Sequence, residues 1–292
     1  MLDDVKTLEL TNPQDVFSRE YAILAKAVVA KYGDEGDSAL REAIRLFGAT
    51  RGQLLREAHL EAGLKINLYN LFTHGDLPTD PRMRRNKINL CPQARLSETL
   101  SCALYDMWRE LDVVDLGRIY CEEFHHAKFA AYAHKAQTNL TQTMTQGDDL
   151  CKFAVYLRPG NMGADEKALS FVEYGGPEPT PLKYEPLSYF DGFARLTVLL
   201  LDAFYRTVEE HFGLEGLSFL EQVLETFAQD IDEYLKNKAT LAGLPYDAAY
   251  LRKNCPIPAP GDAWWAEMAG VLHPHTEKVI GVRFSKALAA SH

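Results

Sequence analysis

The sequence predicts a mainly helical α+β fold with a small central antiparallel sheet. Three observations predict it: long stretches whose apolar residues recur every three or four positions, one interval near the middle where the period drops to two, and helical stretches on both sides of that interval. The first helix is expected from Pro13 to Tyr32, where Val16, Tyr21, Ile23, Leu24, Ala27 and Val28 keep helical spacing and Gly33 supplies a stop. A second starts near Asp37-Ser38, places Leu40, Ile44, Phe47, Leu54, Leu55 and Ala58 on one side, and ends before Gly63. Gly48 and Gly52 stand four apart inside it, a spacing that costs helix propensity and marks close packing or a local break.

Thr73 to Pro92, rich in Pro, Asp, Arg and Asn, reads as an irregular connection with a short strand at Lys87 to Leu90. Helices are expected over Ser101 to Glu110 and over Leu116 to His134. The period then changes. Thr138, Leu140, Gln142 and Met144 alternate with other residues, as do Cys151, Phe153, Val155 and Leu157 after the turn Gln146-Gly147-Asp148-Asp149, so residues 138–157 form a β-hairpin. Pro159 to Pro186 is a linker or covering loop, Phe190 to Phe212 and Leu217 to Leu241 are two long helices, and Val279 to Phe284 returns as a short strand. The expected organisation is an N-terminal helical segment at 1–72, a helix-hairpin core at 73–160 and a C-terminal helical extension at 161–292, packed as one globular unit.

A chain of 292 residues with 47% hydrophobic content can bury a real core. Its net charge of -10 argues against a nucleic-acid binder, which needs a concentrated basic surface. The one basic cluster, Arg82-Met83-Arg84-Arg85 with Lys87, is short. The longest apolar run, Leu196 to Phe204, falls well below the ~20 residues of a membrane span. The N-terminus lacks the basic and apolar regions of a secretory signal, so the cytoplasm is the expected compartment. Five widely spaced cysteines without a C-x-x-C pair fit free thiols in a reducing environment.

Cys121 and His125 are four apart on a predicted helix and share a face, a pairing that suits a thiol nucleophile beside its base or half of a metal site. The hairpin puts Asp148 and Asp149 at its tip and Cys151 at the start of its apolar face. If the helix packs on that face, Cys121, His125, Asp149 and Cys151 converge. His125-His126 with His134 invites a zinc reading, but neither H-E-x-x-H nor the deaminase arrangement is present. Glycine-rich phosphate loops and G-x-S-x-G are also absent. Tyr120, Phe124 and Trp264-Trp265 are candidates for pocket walls or for core.

Cys91-Pro92, then Tyr120-Cys121, then L-T-x-x-x-x-x-G-D-D-x-C-x-F from Leu140 to Phe153 resemble, in order and spacing, the L-2-amino-thiazoline-4-carboxylic acid hydrolase family. The matching residues of the last motif are Gly147, Asp148, Asp149, Cys151 and Phe153, and the resemblance covers about residues 35 to 160. The chain departs from the family at His125, where an acidic residue is commoner, and in its long C-terminal part. The resemblance implies a hydrolase that opens a small nitrogen heterocycle, a cyclic amidine or thiazoline carboxylate, by adding water at a ring carbon. Such chemistry needs a nucleophile, a proton donor for the ring leaving group and a cation for the substrate carboxylate. Cys151 or Cys121 is assigned the first task, directly or through water; His125 with Asp149 or Asp148 the second; Arg51, Arg84 or Arg118 the third, with Tyr120 beside the substrate. No cofactor is expected, and zinc lacks a standard motif. The expected partner is a small-molecule substrate rather than nucleic acid or membrane, with self-association left open. The rival class is a ligand-binding or sensor domain without turnover, and a third reading is a lyase or isomerase on the same scaffold.

Overall fold

The computed structural model describes residues 5–175, 184–258, 263–268, 270–274, 276 and 279, with side chains from Asn12 onward save that of Ala263. In chain order the elements are α1 (Val5–Glu61), α2 (Leu68–Thr73), β1 (Arg84–Cys91), β2 (Ala94–Ser101), α3 (Ala103–Glu110), α4 (Val114–Tyr132), β3 (Gln137–Gln142), β4 (Cys151–Tyr156), α5 (Ala164–Ser170), α6 (Tyr189–Ala242), α7 (Ala248–Asn254) and α8 (Ala263–Met268). Helices predominate and the strands form one antiparallel sheet, as the sequence predicts. Two compact units emerge: one from the described residues up to Ala43, Asp106–Leu116 and those from Ser188 onward, the other from Ile44–Tyr105 and Gly117–Leu187.

The first unit is helical. Gly33 breaks α1 with φ 58°, a left-handed value that costs glycine little, and the helix resumes at once rather than near Asp37. Gly213, at φ 59°, breaks α6 in the same way, between the two helices expected there. The apolar faces meet in a core that includes Phe17, Tyr21, Leu24, Phe204 and Phe227, all at most 1% exposed. Trp264 and Trp265 pack edge-to-face here, in the unit that does not hold the cysteine-bearing hairpin. Beyond Val279, the expected strand from Val279 to Phe284 lies outside the described residues.

The second unit holds the sheet, in the order β1-β2-β4-β3. The β3–β4 hairpin was predicted, but its connection is longer than a tight turn: a 3₁₀ turn at Met144–Gln146 leads to Gly147 at φ 94°. β1 and β2 form a second hairpin, closed around Pro92-Gln93, where the sequence suggested only a short strand from Lys87. β2 itself was not predicted, and its burial pattern gives the reason. The buried positions are Arg95, Ser97 and Thr99, whereas Leu96 and Leu100 turn the other way, so the period-2 signal is inverted in polarity. β1 is exposed, charged and twice bulged, features that blunt a sheet edge. α5 replaces part of the loop expected over Pro159 to Pro186.

α4 lies against both the sheet and the end of α1. On the sheet side the His125 ring meets Phe153 edge-on with centroids 4.8 Å apart. On the α1 side Phe47 stacks on Phe124 at 5.4 Å, and the close-packing reading of Gly48 and Gly52 holds. A Cβ at Gly48 would sit 2.8 Å from Phe124 O, and one at Gly52 would meet Lys128 O closer still. Without glycine at both positions the two helix backbones could not approach this far. The apolar remainder of the unit, including Leu55, Ile66, Leu71, Phe129, Tyr132, Val155 and Phe171, fills the core below.

Candidate functional site

Strand pairing fixes which side chains share the inner face of the sheet, because directly opposed residues in an antiparallel ladder point the same way. Three cross-strand rows result: Arg85–Thr99–Cys151, Ser97–Phe153–Leu140 and Arg95–Val155–Thr138. α4 covers this face and contributes Cys121 and His125 one turn apart, with Lys128 on the next turn. Cys102 precedes α3, where the amides of Leu104 and Tyr105 donate to its sulfur.

The electrostatics bind these residues into one cluster. Burial pushes the Cys121 thiol up, and the neighbouring Cys102 and Cys151 push it further. Burial likewise lifts Cys102 to about 11, despite its helix-end amides and the nearby Arg85 guanidinium. Cys151 is also raised by burial, against an amide bond from Met144 N to its Sγ at 3.4 Å. All three thiols therefore rest in the neutral form at neutral pH. His125 is lowered to about 3, first by burial and then by Arg85, Arg95 and Lys128, so its imidazole is neutral as well. Its Nδ1 is sealed from solvent and has no hydrogen-bond partner among the described residues.

Beside this cluster lies a buried ion group. Asp76 accepts two bonds from Arg51, one of them from Nη2 at 2.9 Å, and faces Lys128 Nζ at 3.4 Å. Burial alone would raise the Asp76 carboxyl, but Arg51 and Lys128 overcome it and hold the pKa well below the usual 3.8. Lys128 is lowered to about 8 by burial and by Arg51, against the pull of Asp76. Among the described residues Arg95 has no such partner. It is 9% exposed, its guanidinium lies 3.8 Å from the Phe72 ring centroid, and burial together with Arg85 lowers it to about 10.

The structure therefore brings Cys121, His125 and Cys151 together, and Cys102 joins them. Asp148 stands apart in function: its carboxylate accepts the Thr143 amide at 2.8 Å and closes the loop between β3 and β4. Asp149 is exposed at the tip, and among the described residues no carboxylate meets His125 Nδ1 as expected. Tyr120 is buried between Phe47 and Phe124, 6.3 Å and 5.0 Å away. Of the expected cations, Arg51 is held by Asp76 near the cluster. Arg84 is exposed and bonded to Ser101, and Arg118 pairs with Glu122 on an exposed face of α4. Sequence reasoning did not single out Cys102, Arg95 or Lys128, and named Arg85 only within the basic cluster. Cys102 had a legible signal, a cysteine at the expected start of the Ser101 to Glu110 helix, whereas Arg95 lay in a strand whose buried face is polar. His126 and His134 are exposed, and among the described residues no three His, Cys, Asp or Glu side chains form a set that could hold a metal ion.

These features define a class: an α+β protein with a thiol and imidazole cluster enclosed between a helix and a four-stranded sheet, flanked by cations. Residues 14–155 match the L-2-amino-thiazoline-4-carboxylic acid hydrolase family, the family that the C-P, Y-C and G-D-D-x-C-x-F motifs resemble. Neither a curated protein nor a solved structure matches the chain. Among the described residues, no helix is long and apolar enough to cross a membrane.

Proposed function

We propose that the second unit carries a hydrolytic site that opens a small nitrogen heterocycle, such as a cyclic amidine or thiazoline carboxylate. The observation that carries this reading is the convergence of Cys102, Cys121, Cys151 and His125 between α4 and the sheet, within a segment matched by a hydrolase family. In the reaction the oxygen of water bonds to the sp² ring carbon. The ring C–N or C–S bond then breaks, its electron pair stays on the departing heteroatom, and that atom takes a proton.

A thiol that is neutral at rest must lose its proton as it attacks or as it activates water. His125 suits the proton carrier: it shares a helix face with Cys121, is neutral, and has an unpartnered Nδ1. Cys121 is the first candidate nucleophile and Cys151 the second. Asp148 acts by shaping the loop that places Met144 N against Cys151 Sγ. Binding an anionic substrate near Arg85 and Arg95 would offset two of the charges that depress His125, making the imidazole a better proton carrier when the site is filled.

The test is turnover of a panel of thiazoline carboxylates, cyclic amidines and lactams by the wild-type protein and by Cys121→Ser, Cys151→Ser and His125→Gln. Ring opening by the wild type, with kcat reduced at least about a hundredfold in His125→Gln and in one cysteine variant, supports the reading. Thermal stabilisation by these compounds without turnover would assign the site to a sensor instead. Turnover undiminished in all three variants would place the chemistry elsewhere.

A further inference from the structure

We propose that Arg85, Arg95 and Ser97 form the recognition site for the carboxylate of a small organic anion, and that this site holds the substrate with its ring toward the three thiols. The inference deepens the hydrolytic reading and rests on it for the orientation of the ring. It replaces Arg84 and Arg118, whose guanidinium groups are engaged by Ser101 and Glu122.

Three observations carry it. The first is a missing counter-charge. Arg95 is 9% exposed, yet among the described residues it meets neither a carboxylate nor a hydrogen-bond acceptor, and its contacts are the rings of Phe72 at 3.8 Å and Phe153 at 5.9 Å. Aromatic faces offset part of the desolvation of a guanidinium, but they leave its N–H donors unsatisfied. The contrast with the neighbouring cations is direct: Arg51 and Lys128 share Asp76, whereas among the described residues Arg85 has only a long bond to Thr79 Oγ1 at 3.5 Å.

The second is an orphaned hydroxyl on the same face. Ser97 is 2% exposed, lies two residues from Arg95 on β2, and its Oγ has no partner among the described residues. Thr138 Oγ1, at the far end of the same row beyond Val155, also lacks a partner among the described residues. Buried hydroxyls are nearly always hydrogen-bonded, so an orphan two residues along the strand from an uncompensated guanidinium marks a place built for an acceptor-rich ligand.

The third is position. Arg85 occupies the row of Cys151, and Arg95 lies two rows away toward Val155. A carboxylate between the two guanidinium groups, with Ser97 Oγ–H as a further donor, leaves a ring of five or six atoms facing the thiol end. Arginine suits the task because its planar fork matches a carboxylate.

The experiment uses the full chain and calorimetric binding at constant ionic strength, with 2-thiazoline-4-carboxylate, pyroglutamate and their neutral carboxamides as probes. The wild type is expected to bind at least one carboxylate at least about tenfold more tightly than its carboxamide, and Arg95→Gln is expected to remove that preference. Arg95→Lys should retain part of it. Arg85→Gln, at a solvent-accessible position on the edge strand, provides a second reading if Arg95→Gln does not fold, and should weaken carboxylate binding without altering carboxamide binding. Equal affinity for acid and amide in the wild type, an undiminished preference in Arg85→Gln and Arg95→Lys, or no binding of any probe at millimolar concentration overturns the proposal. Selective carboxylate binding without ring opening would leave this site standing and remove the hydrolytic reading. Ring opening that is indifferent to the charge of the substrate would do the reverse.

Discussion

Replacing Asp76 by asparagine removes one charge and almost no volume, so its effect isolates the electrostatic role of that carboxylate. In the native protein the group accepts two bonds from Arg51 and faces Lys128 Nζ at 3.4 Å, with the Arg51, Asp76 and Lys128 side chains 15%, 17% and 10% exposed. The asparagine variant leaves two cations facing an amide that cannot neutralise them. Breaking a buried ion pair from one side costs ~3–5 kcal/mol, and the residual solvent contact of this group favours the lower end, about 3 kcal/mol. All three tryptophans belong to the first unit, so the measurement should be urea dependence of amide hydrogen exchange in peptides of the second unit rather than tryptophan fluorescence. Adding Lys128→Met should restore at least about 1 kcal/mol by removing one of the two unpaired charges. The pH dependence gives an internal control. Because the native Asp76 pKa is depressed, its stabilisation is full above the ordinary 3.8 and disappears as pH falls through the lower native value, so wild type and variant should converge in acid. A loss below about 1 kcal/mol near pH 7, the range of an exposed pair, would refute the reasoning.

Gly52→Ala would drive a methyl group into Lys128 O and should cost ~1–3 kcal/mol, with Gly48→Ala similar; thermal melting of both variants checks this, and neutral substitutions would contradict the packing described. His59 and His125 are lowered to about 4 and about 3, mainly by burial, so the native state resists protons that the unfolded chain accepts. Their stabilisation is full above pH 6.5 and is lost as pH falls from there toward 4 and 3, with His126, Lys128, Arg85 and Arg95 around His125 and His74, Asp76 and Lys128 around His59. Urea midpoints between pH 7 and 4 should show this slope, and His125→Gln should flatten it. At pH 7.5 iodoacetamide should modify Cys102, Cys121 and Cys151 more slowly than free cysteine, as mass spectrometry of the labelled peptides would show; rapid labelling of Cys121 would mean that the resting site holds a thiolate.

The long helices were legible because their apolar stripes face a core, and Gly33 and Gly63 punctuate the first two as the sequence suggests. The β3–β4 hairpin was legible for the corresponding reason in period two: Cys151 and Val155 are buried while Lys152 is exposed. β2 escaped because its inward residues are Arg95, Ser97 and Thr99, so the hydrophobic alternation points to the wrong side. The same inversion hid Arg95. Sequence reading favoured Arg84 over Arg85, and only the register distinguishes them: Arg85 opposes Thr99 in the row of Cys151, whereas Arg84 opposes Ser101 across a bulge, beyond the last pair of β2 with β4. Cys121 and His125 could be paired from helical spacing alone. The absence of a carboxylate on His125 could not be foreseen, because it depends on the 3₁₀ turn and Gly147, which commit Asp148 to the Thr143 amide.

The glycine pair in α1 also limits how this site can be altered. With Gly48 and Gly52 seated against the carbonyls of Phe124 and Lys128, α4 cannot slide gradually; it could move only by stepping about one turn, ~5.4 Å, which would carry Cys121 and His125 out of reach of the sheet. The helix is therefore a fixed wall. Under the proposed hydrolytic reading, room for a larger ring would come from the sheet side, by trimming Phe153 or Leu140 or by redesigning β2.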